Sequence, residues 1–344
     1  MRKILSMAAL ALIMASCSND EENVVIDNGE ATNGVAIQIS QKVAGVETKG
    51  AVTPGNTMQA VIVMVDAGSS TDAPDFSAFK PNTKNDLTGA GNDQLESESA
   101  RANVATAEFK AGATAGSIGL NPTLYYPITT GKKTWAFGVS PQGVVDASNI
   151  TFTDVDGLQD VMYAAKQAAG SGNSVESSIE LNFIHKLTQL TFVSKLTSAN
   201  LTGTEWEGKT VSVQSIVIQN AKLPKTLAFS TGDITRWETK SLTVAGCKET
   251  LTANECDLSV PVMISPASEL IVNLTLKVGN DLKTYNNLTV KNSSNQNLGT
   301  ESGKSHKVTF DITAPKAAEG QTSIAVTAKV TDWVPGDAGK VEIK

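Results

Sequence analysis

The sequence predicts an all-β protein built from β-sandwiches, and three observations carry that prediction. Apolar and polar residues alternate with a period of two in several runs that are rich in Val, Ile and Thr. Gly, Asn, Asp and Pro separate these runs at short intervals, as turns between short strands require. Helical periodicity is scarce, and its best candidate, residues 154–167, supports at most a short helix or a coil that leads into a strand. The alternating runs are 35–39, 187–193, 211–218, 270–276 and 324–330.

Length and composition set the number of domains and exclude one class of partner. The chain has 344 residues, 40% of them hydrophobic and 18% charged, which is enough for two domains with their own cores. It carries 28 Lys and Arg against 35 Asp and Glu, a net charge of −7, so nucleic acid is not an expected partner. The Gly- and Ser-rich stretch 168–178 predicts the boundary between domains at 50–178 and 179–344.

The N-terminus reads as a lipoprotein signal peptide over residues 1–16. Arg2 and Lys3 precede an apolar run of about a dozen residues, which is too short to cross a bilayer as a helix. Small residues lead up to Cys17, which predicts acylation of that cysteine with palmitate-type chains and anchoring to the outer membrane. An ordinary secretory signal with an incidental cysteine is the alternative. The segment 17–49 begins as an acidic tether.

Cys247 and Cys256 stand at either end of a short segment between two strand-like runs. In an exported protein, a disulfide between them is the first expectation, and two free thiols are the alternative. A two-thiol metal site would need further ligands, and no other Cys or His lies nearby in the sequence.

Catalytic and cofactor motifs are not found, so the sequence predicts no enzyme, no cofactor and no metal. His185 shares the parity of the apolar residues in its strand, which indicates a core histidine, and His306 is expected at a turn before a strand. The Asp-Val-Asp-Gly run at 154–157 lacks the remaining ligands of an EF-hand loop. Four Trp residues could form a sugar-stacking platform, but they are also normal core residues.

Several stretches in the same order resemble the fimbrillin family, the type V pilins of Bacteroides-type bacteria. The first is the lipobox with its acidic tether. The others are LYYP at 124–127 with WAF at 135–137, DVMYA at 160–164, IELNFIHKLTQL at 179–190 and VTDWV at 330–334. The resemblance spans nearly the whole chain.

The resemblance implies a prepilin with two transthyretin-like β-sandwich domains in tandem. Such a subunit reaches the surface as a lipoprotein, and a trypsin-like Arg/Lys-specific protease then removes its N-terminal strand. Lys49 and Gly50 fit that cleavage site, although Arg is the usual residue before the cut. The vacated groove then accepts a strand from the next subunit.

The residues themselves are consistent with this scheme. The run VAIQISQKV at 35–43 alternates as a strand packed on a core would, and the following loop ends in a basic residue that proteases can reach. Removing the strand would open an edge that templates strand addition, and a head-to-tail contact that never closes makes a filament. An ordinary first strand, turn and last strand are the alternative. The possible donor positions near the C-terminus are Ile324, Val326, Ala328, Val330, Val341 and Ile343.

The sequence therefore predicts a structural subunit of a surface fimbria, most simply the stalk type, that serves adhesion. Its expected partners are other copies of itself and related fimbrial subunits, the maturation protease and, before cleavage, the outer membrane. A fimbrial anchor or accessory subunit is one alternative. A surface lipoprotein that binds glycans through exposed Trp and does not polymerise is another.

Overall fold

A computed structural model of the protein describes residues 36–43, 56–68, 73–87, 95–111, 116–129, 131–153, 156–166, 179–245, 249–258, 260–317 and 323–332. These ranges contain strands and a single short 3-10 helix at Glu98–Ala100, which confirms the all-β prediction. Among them, no helix is long and apolar enough to span a membrane. The strands are β1 (Ile39–Val43), β2 (Thr57–Asp66), β3 (Val104–Lys110), β4 (Gly116–Asn121), β5 (Thr134–Ser140), β6 (Val144–Asp146), β7 (Asn149–Thr151), β8 (Met162–Lys166), β9 (Ile179–His185), β10 (Thr188–Leu196), β11 (Val211–Ala228), β12 (Ile234–Ala245), β13 (Cys256–Asp257), β14 (Val262–Ile264), β15 (Ile271–Val278), β16 (Asp281–Thr289), β17 (Lys304–Thr313) and β18 (Ser323–Asp332).

Seven strands of the N-terminal half close into a barrel in the order β1-β4-β3-β2-β5-β8-β9. Every second residue of these strands points inward, as the two-residue period of a strand dictates. The inward positions of β2 and β9 are buried and apolar, and they form one core with those of β1, β3 and β8. The barrel interior is therefore a packed hydrophobic core.

Two sheets, built mainly from the C-terminal half with β6 and β7 added, pack face to face. One has the order β13-β10-β17-β18, with β14 also paired to β10, and the other has the order β16-β15-β11-β7-β6, with β12 paired to β11. The alternating residues of β11, β15 and β17 fill the space between them, together with Trp206, which is fully buried. The arrangement is that of a β-sandwich.

A third core lies between the barrel and the sandwich. β5 is buried at all seven positions and β2 at most of its ten, because one face of each strand looks into the barrel and the other into this third core. Double-sided burial explains why both strands read as nearly continuous apolar runs rather than as alternating ones. The short β7 pairs with the end of β11 and so belongs to the sandwich sheet, although it precedes β8 and β9 of the barrel in the chain.

Strand pairing on the two sides of the boundary predicted at residue 178 does not follow chain order. β9 follows that boundary but pairs with β1 and β8 inside the barrel, while β6 and β7 precede it and pair into the sandwich sheet. Local composition marks a connection between elements, whereas sheet membership depends on pairing between distant residues, which composition does not reveal. The division into two tandem transthyretin-like domains stays a prediction.

The seat of the first strand as candidate functional site

The predicted N-terminal strand is present as β1 and completes the barrel wall. Ile39 to Gln41 pair antiparallel with β4, and Ile39 to Val43 pair parallel with β9. Just before the strand, the amide of Ile37 donates to the carbonyl of Leu124 at 2.7 Å, and the carbonyl of Gln38 accepts from the amide of Ile179 at 2.9 Å. Both edges of β1 are therefore paired, and its loss would leave β4 and β9 facing an open gap.

Side chains at alternate positions of this segment enter the barrel core. Ile37, Ile39 and Gln41 are 5%, 2% and 2% exposed. Gln38, between them, is exposed to solvent. The alternation read from the sequence thus holds in the structure, and β1 with the segment before it contributes two β-branched residues and one amide to the barrel interior.

We call the space that β1 fills the β1 groove, bounded by β4 and β9 and lined by Phe109, Ile118, Ile179, Leu181 and Phe183. The rings of Phe109 and Phe183 lie 5.7 Å apart between centroids. Their fit depends on Gly138 at an inward position of β5. A Cβ atom there would lie 2.6 Å from Cζ of Phe183, so a side chain at that position would displace the ring. Without β1, the groove would be an apolar slot with unpaired backbone groups of β4 and β9 along its two sides.

A buried charge network anchors the chain beside the start of β1. The guanidinium of Arg101 donates to Oδ2 of Asp66 at 2.5 Å and to the carbonyl of Tyr125 at 2.9 Å, and it lies 3.3 Å from Oε2 of Glu98. The Arg101 side chain is only 4% exposed. Tyr125 in turn forms a bridge with Ala36. Arg101 thus fixes the strand-like segment against which the N-terminal end of β1 lies, an arrangement that the sequence analysis did not find.

The DVMYA motif at 160–164 packs in two directions at once. Oδ2 of Asp160 and Nδ1 of His185 lie 2.8 Å apart, at hydrogen-bond distance. Both side chains are nearly fully buried. This confirms the core interpretation of His185, but its partner lies 25 residues away and was not predicted. Met162 enters the barrel core. The motif therefore ties β8 to the end of β9, the strand that borders the β1 groove.

Tyr163, the fourth residue of the motif, reaches from the barrel to the hairpin of β11 and β12. Its hydroxyl donates to the carbonyl of Phe229 at 2.6 Å. Burial raises the pKa of Tyr163 to about 12, and the charge of Asp233 acts in the same direction. Gly232, at a φ of +69°, lies directly against the ring. This contact holds the barrel onto the sandwich and keeps the tyrosine protonated as a hydrogen-bond donor.

His306 does not lie in a turn as predicted, but within β17, where it is 1% exposed. Its two ring nitrogens have no hydrogen-bond partner among the described residues. Burial lowers the pKa of His306, with an opposing influence from Glu301 and a reinforcing one from Lys304. The residue pairs with Leu190 on one side and with Val330 of β18 on the other. A neutral imidazole is therefore part of the sheet that ends in β18.

The pH dependence of stability is expected to reveal this histidine. The folded state resists protonation of His306 while the unfolded chain takes up a proton near pH 6.5, so the stabilisation is complete above that pH and decreases as the pH falls towards the lowered folded-state pKa. Urea unfolding at pH 7.5 and pH 5.0 should show a smaller loss of stability in acid for His306→Phe than for the wild type. Equal losses for the two proteins would show that His306 does not contribute.

The C-terminal donor candidates lie partly in β18. This strand pairs with β17 over ten residues, from Lys304–Asp332 to Thr313–Ser323. Val326 is buried and Ile324 packs against the same sandwich core. Ala328 and Val330 pair with Val308 and His306 along the backbone. Among the described strands, β18 thus stands at the end of its sheet in the sandwich. Val341 and Ile343 lie outside the described residues.

Most residues of the predicted processing and disulfide sites lie outside the described part of the chain. Cys17, Lys49, Gly50 and Cys247 lie outside the described residues. Cys256 belongs to β13, pairs with Ser194, and has its sulfur 3.8 Å from Oε2 of Glu249. The disulfide therefore stays a prediction.

Two of the Trp residues are placed where they cannot stack on a sugar. Trp135 and Trp206 are 4% and 0% exposed. Trp237 packs partly against the third core, and Trp333 lies outside the described residues. Within the described part of the chain, no group of three His, Cys, Asp or Glu side chains gathers in a geometry that could hold a metal ion.

Comparisons with known proteins give one family match. The model of a family described as fimbrillin-like matches residues 71–333. No protein with a curated description matches. Among solved structures, a candidate cell adhesion protein of Bacteroides uniformis is 19% identical, with a TM-score of 0.47 over 87% of this chain and 99% of the other. The tip fimbrial protein Mfa3 of Porphyromonas gingivalis is 9% identical, with a TM-score of 0.42 over 86% and 100%. A fimbrial assembly protein of Parabacteroides distasonis is 12% identical, with a TM-score of 0.40 over 87% and 100%.

Proposed function

The chain belongs to the fimbrillin-like family, and from that premise we propose that it is a stalk-type subunit of a cell-surface fimbria that polymerises by strand exchange. The family is one of structural adhesion subunits, so the protein acts as a building block and not as an enzyme. The single observation that supports the exchange step is the position of β1. It is the first described strand, it closes the barrel, and it inserts Ile39 into the core, next to Ile37 from the segment just before it.

Maturation would proceed in two steps. The precursor is exported as a lipoprotein, the acyl chains on Cys17 anchor it in the outer membrane, and the acidic tether holds the folded part away from the membrane. A trypsin-like protease then cuts between Lys49 and Gly50, which separates β1 from β2 in the chain while β1 still lies in its groove. Cleavage alone breaks no backbone hydrogen bond of β1, so the strand must still be displaced by a competitor.

The β1 groove supplies what a competitor needs. An incoming strand would find the backbone edges of β4 and β9 on either side and an apolar floor formed by residues such as Leu181 and Phe183. Backbone hydrogen bonds give affinity in strand addition, and alternate side chains give specificity. Because each subunit offers one groove and donates one strand, repetition of the contact builds an open chain.

The donated strand would come from the C-terminal part of another subunit. β18 is one candidate and the segment with Val341 and Ile343 is the other. Since β18 pairs fully with β17 in the single chain, its donation requires that this pairing opens or that the segment beyond it is the one donated. We also propose that the chain forms two β-sandwich-type domains in tandem, the first around the barrel and the second around the two packed sheets, which β6 and β7 join.

Limited proteolysis of the purified full chain tests the proposal. Trypsin is expected to cut first after Lys49, and the product that begins at Gly50 should form a ladder of oligomers in size-exclusion chromatography and filaments in electron micrographs. Lys49→Gln should remain monomeric under the same treatment, and Lys49→Arg, which keeps the site, should assemble like the wild type. Clean cleavage that yields only monomers would refute strand exchange.

A further inference from the structure

Gln41 is a polar side chain inside an otherwise apolar barrel core. It is 2% exposed, and its Nε2 donates a hydrogen bond to the carbonyl of Lys110 at 2.7 Å. Its Oε1 has no hydrogen-bond partner among the described residues. A buried amide is unfavourable unless a partner meets it, so Gln41 is tolerated only where its donor reaches that carbonyl.

The bond spans a corner of the barrel. The ladder between β3 and β4 ends at the pair Glu108–Gly119, and beyond this point β4 pairs with β1. Lys110 is the last residue of β3, two places past that pair. The side chain of Gln41 therefore reaches from β1 past β4 to the end of β3, and this connection exists only in one alignment of β1.

The aliphatic side chains of this segment do not by themselves fix the register of β1. In the sequence, Val35 and Val43 continue the alternation of Ile37 and Ile39, so a shift by two residues replaces one aliphatic residue with another. A shift by one residue is excluded because it turns the apolar face to solvent. A shift by two is opposed by Gln41, which would enter the place of Ile39 and lose the carbonyl of Lys110.

We propose that Gln41 sets the register of the strand in the β1 groove, and that a strand which replaces β1 must present a side-chain hydrogen-bond donor at the same place. The second half of this proposal rests on the strand exchange proposed above. According to this proposal, the strand that replaces β1 has two aliphatic residues that point inward. Two places after the second of them, it has a residue with a side-chain amide.

This chemistry distinguishes among donor strands. Read in the same chain direction as β1, the alternate positions of β18 are Ile324, Val326, Ala328 and Val330, with Asp332 after them. None of these side chains is a donor at neutral pH. A second copy of this chain that donates β18 in that direction would therefore leave the carbonyl of Lys110 unpaired, and a subunit whose strand carries the amide fits the groove better.

Disulfide trapping in the full chain tests the register. With the three native cysteines changed to Ser, the pair Ser40→Cys and Ser117→Cys reports the observed alignment, since these residues are cross-strand partners. The pair Ser40→Cys and Gly119→Cys reports the alignment shifted by two, and a side chain at Gly119 meets no atom within 4 Å.

With Gln41 present, the first pair should cross-link about tenfold more than the second. Gln41→Met should bring the second pair close to the first, whereas Ile39→Leu should not. An unchanged ratio in Gln41→Met overturns the proposal.

Peptide competition tests the demand on the incoming strand. The full chain is nicked at Lys49, and labelled peptides of residues 33–49 compete with the resident strand. The wild-type peptide should enter at concentrations about tenfold lower than a peptide with Gln41→Met, which has a similar shape but no donor. Equal entry of both peptides overturns the specificity proposal. Entry of neither refutes strand exchange, and the cross-linking result then still decides whether Gln41 sets the register of β1.

Discussion

Replacement of Ile39 by Asp is expected to expel β1 from the barrel and to lower the free energy of unfolding by about 4 kcal/mol or more. The substitution removes a buried aliphatic side chain, which by itself costs about 2–5 kcal/mol, and it places a carboxyl group in an apolar core without a partner. Urea unfolding measures the loss, and hydrogen exchange of the amides of β9 reports whether the groove has opened.

Gln38→Asp is the matched control for this substitution. It introduces the same charge one residue earlier, at a side chain that is exposed to solvent, so its effect should stay within about 0.5 kcal/mol. If the two variants lose similar stability, β1 does not pack into the barrel as described. Because an expelled β1 leaves the groove free, Ile39→Asp should also bind a competing strand without cleavage at Lys49.

Replacement of Gly232 by Ala is expected to cost about 4 kcal/mol of stability. A Cβ atom at this position would lie 2.2 Å from Cδ1 of Tyr163, so the ring must move and its hydrogen bond to the carbonyl of Phe229 is lost. The positive φ of +69° accounts for about 1 kcal/mol, and overpacking for up to about 3 kcal/mol.

Gly208→Ala separates these two contributions. Gly208 has a similar φ of +74°, but a Cβ atom there would meet nothing within 4 Å. Its substitution should therefore cost only the backbone strain of about 1 kcal/mol. Equal losses for the two glycine variants, measured by chemical unfolding, would mean that the contact between Tyr163 and the hairpin does not hold the barrel on the sandwich.

Period-2 alternation predicted the strands whose two faces differ. β1, β9, β11 and β15 each bury one face and expose or half-expose the other, and each stands out in the sequence. β5 was not predicted as a strand, because both of its faces are buried and its sequence does not alternate. A strand can thus be predicted from its sequence when one of its faces is exposed to solvent and the other is buried.

Contacts between distant residues could not be predicted in this way. Asp160 and His185 lie 25 residues apart, and Arg101 and Asp66 lie 35 apart. Their pairing depends on which strands become neighbours in the barrel, which a single sequence does not specify. Gln41 is the partial exception, since a polar residue in an alternating apolar run was visible from the start. Its partner, the carbonyl of Lys110, is a backbone group that every residue carries, so the sequence does not reveal it.

The N-terminal residue and mass of the protein in material sheared from the cell surface test the central claim most directly. If β1 is the strand that is removed during assembly, the sheared protein begins at Gly50 and lacks both the acylated Cys17 and β1. A protein that stays in the membrane fraction with an acylated Cys17 at its start, with none in the sheared fraction, would contradict that claim and would fit an anchor subunit or a surface lipoprotein that does not polymerise.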